Sequence, residues 1–158
     1  GKIDDWYDLE FVDEIALKNP DLNFVFVGPI VRDISNIKSR NIYFLGQKEY
    51  EEIPNYVNLF DICIIPYKNI ERIKTVDMPL KLLDYLATGK PVIAKNINRI
   101  EENENLYKIC NDLNEFNKNL VYYLEKNDRI KEERINFALR NSWEKRANFL
   151  SDWITTLN

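Results

Sequence analysis

The sequence predicts a doubly wound α/β domain built on a parallel sheet, and three observations carry that reading. Short β-branched runs alternate with segments of helical periodicity along the chain. The run Asp61 to Ile65 is apolar after its first residue and ends at Pro66, as a strand covered on both faces does. The stretch Met78 to Ala94, MPLKLLDYLATGKPVIA, holds a helix start, a helix stop and a buried strand.

In order, Asp4 or Asp5 is placed to cap a first helix running to about Asn19. Trp6, Leu9, Val12 and Ile15 or Ala16 recur there at helical spacing, and Pro20 ends it. Asn23 to Val27 reads as a strand stopped by Gly28 and Pro29, followed by a weak helical patch at Ile34 to Lys38. Asn41 to Leu45 is the next strand, closed by Gly46, and Tyr50 to Phe60 is helical despite Pro54. A loop from Tyr67 to Met78 leads to the helix Leu80 to Thr88, then to a strand at Pro91 to Ala94 and another at Tyr107 to Cys110. Helices follow near Leu113 to Lys126, Asp128 to Asn141 and Trp143 to Leu157. Strand-helix alternation implies right-handed crossovers, with a ligand crevice at the carboxyl ends of the strands.

A chain of 158 residues, 45% hydrophobic and 30% charged, is one globular domain with a core of its own. A formal charge of −4 argues against general nucleic-acid binding, so no nucleic-acid partner is expected. No apolar run is long enough to span a bilayer and no leader pattern opens the chain, so a cytoplasmic setting is expected. Cys63 and Cys110 lack CxxC spacing and read as buried free thiols. The chain has no histidine, which removes the commonest general base and zinc ligand together.

The Pro79 to Gly89 frame is the best candidate site. Proline suits a helix start, where its absent N–H has no partner to lose, and glycine suits the left-handed residue that closes a helix. Leu82, Leu83 and Leu86 can face a sheet while Lys81 and Asp84 share another face near the positive end. Free amides beside a lysine favour an anion such as a diphosphate, and a carboxylate one turn on can accept from ribose hydroxyls. The ordinary alternatives are a solvated lysine and a solvated aspartate.

The same stretch resembles the PLK-x-x-EYLA-x-GKPV segment of group-one retaining glycosyltransferases of the GT-B fold, especially those of bacterial teichuronic acid and capsular polysaccharide synthesis. GKIDDWYDLEFV, NFVFVGP, NIYFLGQKEYEEIPNYVNLFDICIIPYK and SWEKR are similar to that family in order and spacing. The resemblance implies a Rossmann-like, C-terminal donor-binding half, spanning residues 1–158 and lacking its first strand, which would directly precede Gly1. An N-terminal acceptor domain would lie outside this chain, so the chain alone is expected to be inactive or nearly so, with an unpaired edge or apolar slot near Gly1.

Resemblance further implies retaining transfer of a sugar from a nucleoside diphosphate donor to an acceptor hydroxyl, with no metal and no cofactor. Peripheral membrane association would concern the full-length enzyme only. Asp84 stands where the family carries glutamate, as a ribose ligand, and Leu80 and Lys81 open the helix beside the diphosphate. The family's other acidic position falls on Val76, with Asp77 one residue away. Gly1, Gly28 and Gly46 follow strands, or should, and could admit the donor close to backbone. Tyr67 and Lys68 sit where the crevice should lie, and catalytic residues are unassigned.

Competing classes fit less well. A signalling receiver needs an acidic cluster at the carboxyl ends of its strands, yet Asp61 opens its strand. Dinucleotide enzymes need a GxGxxG turn, which the four glycines do not form. A non-enzymatic interaction module is the runner-up, because Trp143, Ala147, Leu150, Ile154 and Leu157 form one stripe, for which burial against the domain's own sheet is the ordinary explanation.

Overall fold

The computed structural model of the chain describes residues 1–74, 78–98, 105–125 and 129–156. The expected site residue Asp77, its neighbour Val76, the helix boundaries at Lys126 and Asp128, and Leu157 lie outside the described residues. Helix α1 (Leu9–Lys18) leads to β1 (Phe24–Phe26) and β2 (Ile42–Phe44), then to a 3-10 turn (Tyr50–Glu52) continuing as α2 (Ile53–Leu59). β3 (Cys63–Pro66), a short α3 (Glu71–Lys74), α4 (Leu80–Ala87) and β4 (Val92–Lys95) follow. β5 (Lys108–Cys110), α5 (Leu113–Glu125), α6 (Lys131–Arg140) and α7 (Trp143–Thr156) complete the order. Every ladder is parallel: β1 with β2, β3 with β4, and β4 with β5. α1 contacts α5 and α4 contacts α6, and each pair packs on the β3–β4–β5 sheet, giving the expected α/β layering.

Several local expectations are corrected. α1 starts four residues later than an Asp4 cap would place it. Asp8 is the cap, its carboxylate accepting from the Phe11 N–H at 3.3 Å. The residues ahead of it are engaged elsewhere: Ile3 pairs with Ile30 in a parallel bridge and Tyr7 with Tyr67 in an antiparallel one. Residues Ile34 to Lys38 form turns rather than helix. Asp33 draws the N–H and hydroxyl of Ser35 (2.8 and 2.9 Å), and the buried Asp13 draws the N–H groups of Lys38 and Ser39 (3.0 and 2.8 Å). Side-chain acceptors thus take the amides that a helix would use. The loop after Tyr67 contains the one-turn α3, and Pro79 caps α4 rather than entering its first turn. α7 has no buried residue, so its apolar stripe is not covered by the sheet: Trp143, Ala147, Leu150, Trp153 and Ile154 are exposed. The parallel strands form two sheets, β1–β2 and β3–β4–β5, with no ladder between β1 and β3 among the described residues.

At the β3–β4 contact Ile65, Val92, Ile93 and Ala94 are fully buried, as are Leu82 and Leu86 of α4. Cys63 and Cys110 are buried and free, and burial pushes both thiols up to about 12. Arg134 is fully buried on α6, its guanidinium donating to the carbonyls of Leu106 (2.7 Å) and Gly89 (3.1 Å). Asn41 similarly closes the end of α1, its amide donating to the carbonyls of Ala16, Asn19 and Leu22.

Gly89 occupies the left-handed region at φ +74, and a Cβ there would meet the Lys131 Cγ at 2.5 Å. Gly89→Ala is expected to destabilise the fold by roughly 1–2 kcal/mol or more, read as a lower denaturant midpoint at unchanged slope. A midpoint equal to the parent's would contradict this account of the turn.

Candidate functional site

α4 aims its first turn at the carboxyl edge of β3 and β4, because Leu82 and Leu86 anchor its inner face in the core. Lys81 is thereby brought against the rings of Tyr7 and Tyr67. Its ammonium donates to the Tyr7 hydroxyl, lies 4.5 Å from the Tyr7 ring centroid and 5.1 Å from that of Tyr67. The two rings meet edge to face at 5.7 Å, so Lys81 is held in an aromatic corner. Burial lowers its pKa to about 8, and Asp84 opposes that shift.

The side-chain cations beside Lys81 each reach a carboxylate. Lys95 pairs with Asp8 at 2.6 Å, while Arg32 and Lys68 share Glu10 at 2.6 and 3.6 Å. Among the described residues no carboxylate forms an ion pair with Lys81. The ammonium is desolvated and held by two aromatic rings, and Asp84 balances its charge only in part, without an ion-pair contact. Asp84 stands one turn further along α4 at the surface, its carboxyl raised by burial and pulled back by Lys81. Leu80 is exposed at the helix start.

The expected glycines converge on the same rim. A Cβ at Gly1 would lie 3.6 Å from the Lys81 Nζ and 3.8 Å from the Tyr7 hydroxyl. Gly28 adopts φ +142, and a Cβ there would sit 2.0 Å from the Gly1 carbonyl oxygen, so the space it leaves is filled by Gly1 backbone. Gly46 accepts from the Gly28 N–H at 2.8 Å, and nothing lies within 4 Å of its absent Cβ. Tyr67 is buried and its hydroxyl is raised to about 12 by that burial. Lys68 lies beside it, with its N–H donating to the Trp6 carbonyl at 2.8 Å. Gly1, Tyr67 and Lys81 are thus brought together, with Asp84 one turn off and Lys68 turned towards Glu10. Tyr7 is the member that sequence reasoning missed. Its phase looked like part of a first helix, and only the late start of α1 frees it to reach Lys81. Among the described residues no cluster of three His, Cys, Asp or Glu side chains could hold a metal ion.

Fold and site together describe a doubly wound α/β domain with an unpaired cation at its carboxyl edge. The family described as "Glycosyl transferases group 1" matches residues 6–126, and the chain belongs to that family. Over 102 residues it is 37% identical to a Bacillus subtilis (strain 168) protein named "Putative teichuronic acid biosynthesis glycosyltransferase TuaH". That match takes in 61% of this chain and 25% of the relative, so the chain spans a quarter of the relative's length. The crystal structure of Anabaena Alr3699/HepE in complex with UDP superposes with a TM-score of 0.67 at 14% identity, covering 96% of this chain and 47% of that one. The same protein in complex with UDP and glucose gives 0.66 at 14%, covering 96% and 46%. These two structures share the fold.

A lysine whose folded pKa lies below its unfolded value costs stability wherever both states are protonated, that is below about pH 8. The cost fades as pH rises from there towards the unfolded value. Lys81→Met is therefore expected to melt above the parent at pH 7, with the gap closing between pH 8 and 10.5. Thermal melts across that range check it, and a variant that melts lower at pH 7 would contradict the account.

Proposed function

We propose that this chain is the donor-binding domain of a retaining glycosyltransferase that moves a sugar from a nucleoside diphosphate sugar to an acceptor hydroxyl. The unpaired Lys81 ammonium at the start of α4, with Asp84 one turn on, is the observation that carries the reading. In this reading the diphosphate lies against Lys81 and the free amides of α4, and Asp84 accepts from the ribose. Asp77 is the carboxylate offered to the sugar. As the anomeric bond breaks, negative charge grows on the departing diphosphate, and a fixed ammonium stabilises that charge more than the ground state. Tyr7 and Tyr67 fix the ammonium beforehand, which saves reorganisation during the step. Lys81 supplies the charge without a metal. The departing phosphate oxygen takes the acceptor proton, so the reaction needs no histidine.

The acceptor groove belongs to a preceding domain, and the whole enzyme serves bacterial surface polysaccharide synthesis at the cytoplasmic side. The name of the Bacillus subtilis relative and the UDP bound to the Anabaena protein support this placement. In this reading the full-length enzyme associates with the membrane peripherally, and among the described residues no helix is long and apolar enough to cross a membrane. The exposed stripe of α7 fits the interaction-module reading, and nucleotide binding separates the two.

UDP titrated into the chain by calorimetry or NMR is expected to bind weakly and equally with magnesium or with a chelator. Lys81→Ala and Asp84→Ala should each weaken binding about tenfold or more, since a charge-assisted hydrogen bond is worth roughly 1.5–3 kcal/mol. Tyr7→Phe should weaken it less, and affinity should fall as pH rises through about 8, where Lys81 loses its proton. If both alanine variants bind UDP, GDP and ADP as the parent does, the assignment of these residues fails.

A further inference from the structure

At the amino edge of β3 and β4, opposite the rim where Lys81 stands, lies a cavity of about 330 Å³. Its wall is made by the segment entering β3, the turn from α4 into β4, the end of α5 and the first residue of α6. The volume falls at the small end of the range for pockets that enclose small molecules, roughly 300–1,000 Å³. None of the residues expected to hold the donor takes part in it.

Two lysines line this cavity, and among the described residues neither forms an ion pair with a carboxylate. Lys131 lays its stem along the turn after α4: a Cβ at Gly89 would meet the Lys131 Cγ at 2.5 Å and its Cε at 3.2 Å. Its ammonium, one bond further on, is therefore held at the turn that carries Lys90. Lys90 is half-buried, and its charge draws the Cys63 thiol down against the rise that burial causes. Asp61 also lines the cavity and forms no ion pair among the described residues, so two ammonium groups stand against one carboxylate. The start of α6 adds to the positive field. Its N-cap, Ile130, brings no side-chain acceptor, and the N–H groups of Lys131, Glu132 and Glu133 meet none among the described residues. Glu132 and Glu133 are exposed and stand outside the lining.

We infer that this cavity is a binding site distinct from the donor rim, and that it takes a small organic molecule carrying a single phosphate. The phosphate is held between the Lys90 and Lys131 ammonium groups, with the open start of α6 adding to their field. The body of the ligand covers Ile62, Pro91 and Leu124, the apolar part of the lining. A phosphate monoester suits this balance better than a diphosphate, because Asp61 opposes the added negative charge. The site lies at the far edge of the sheet from Lys81 and Asp84, so it stands or falls independently of the donor reading.

Phenyl phosphate titrated into the chain and followed by amide NMR tests the site. The Ile62, Thr88, Lys90 and Lys131 amides are expected to shift along saturable curves, whereas UDP should move those of Lys81 and Asp84 instead, so that either site can fail without the other. Inorganic phosphate should bind the cavity about fivefold more weakly or less, since it leaves the apolar wall uncovered. Lys90→Gln and Lys131→Gln should each weaken phenyl phosphate about tenfold while amides remote from the cavity keep their positions. Shifts that stay linear without saturating, or that are confined to the carboxyl rim, overturn the inference from the parent chain alone. Variants that bind as the parent does overturn it as well, and inorganic phosphate binding as tightly as phenyl phosphate overturns the organic ligand.

Discussion

A positive charge held out of water, balanced only in part by a carboxylate one turn away, is the constraint around which the rim of this domain is arranged. Lys81 is kept where it is by elements distant in sequence: the segment before α1 supplies Tyr7, the end of β3 supplies Tyr67, and α4 supplies the lysine itself. Each contributor is fixed by ordinary packing. Leu82 and Leu86 pin α4, the Tyr67 carbonyl accepts from the Asn96 amide at 2.6 Å, and the Arg32 guanidinium donates to the Tyr7 carbonyl at 2.7 Å. Of the neighbouring cations, Lys95 pairs with Asp8, while Arg32 and Lys68 share Glu10. Such an arrangement sacrifices stability, since the ammonium gives up hydration that no ion pair replaces.

Much of this was legible in the sequence, for physical reasons that differ between elements. The β3 and β4 runs read correctly because continuous β-branched stretches between helices leave few alternatives, and α4 read correctly because Pro79 and Gly89 frame it. That frame also placed Lys81 and Asp84 in the first turns of α4, on a helix face that spacing alone defines. The errors share a cause. At Ile34 to Lys38 and at the start of α1, short polar side chains and bridges from distant strands claimed amides that local periodicity would have given to a helix. Tyr7 was missed for that reason. The stripe on α7 was read correctly as a stripe and wrongly as buried, since periodicity reports that a face is apolar and says nothing of what meets it.

Arg134 has a consequence for how the domain comes apart. A guanidinium sealed inside the protein and bonded to two carbonyls, one at the end of α4 and one just ahead of β5, cannot be released stepwise. Lifting α6 away would strand a buried charge and leave both carbonyls unsatisfied, costs of several kcal/mol that a local fluctuation does not meet. The α4 terminus, α6 and the approach to β5 therefore open together or not at all. α7, two residues further along, has no buried residue among those described and lies beyond the edge of that cooperative block. A single internal cation thus draws the line between the part of the chain that melts as a body and the part that can fray while the rest stays native.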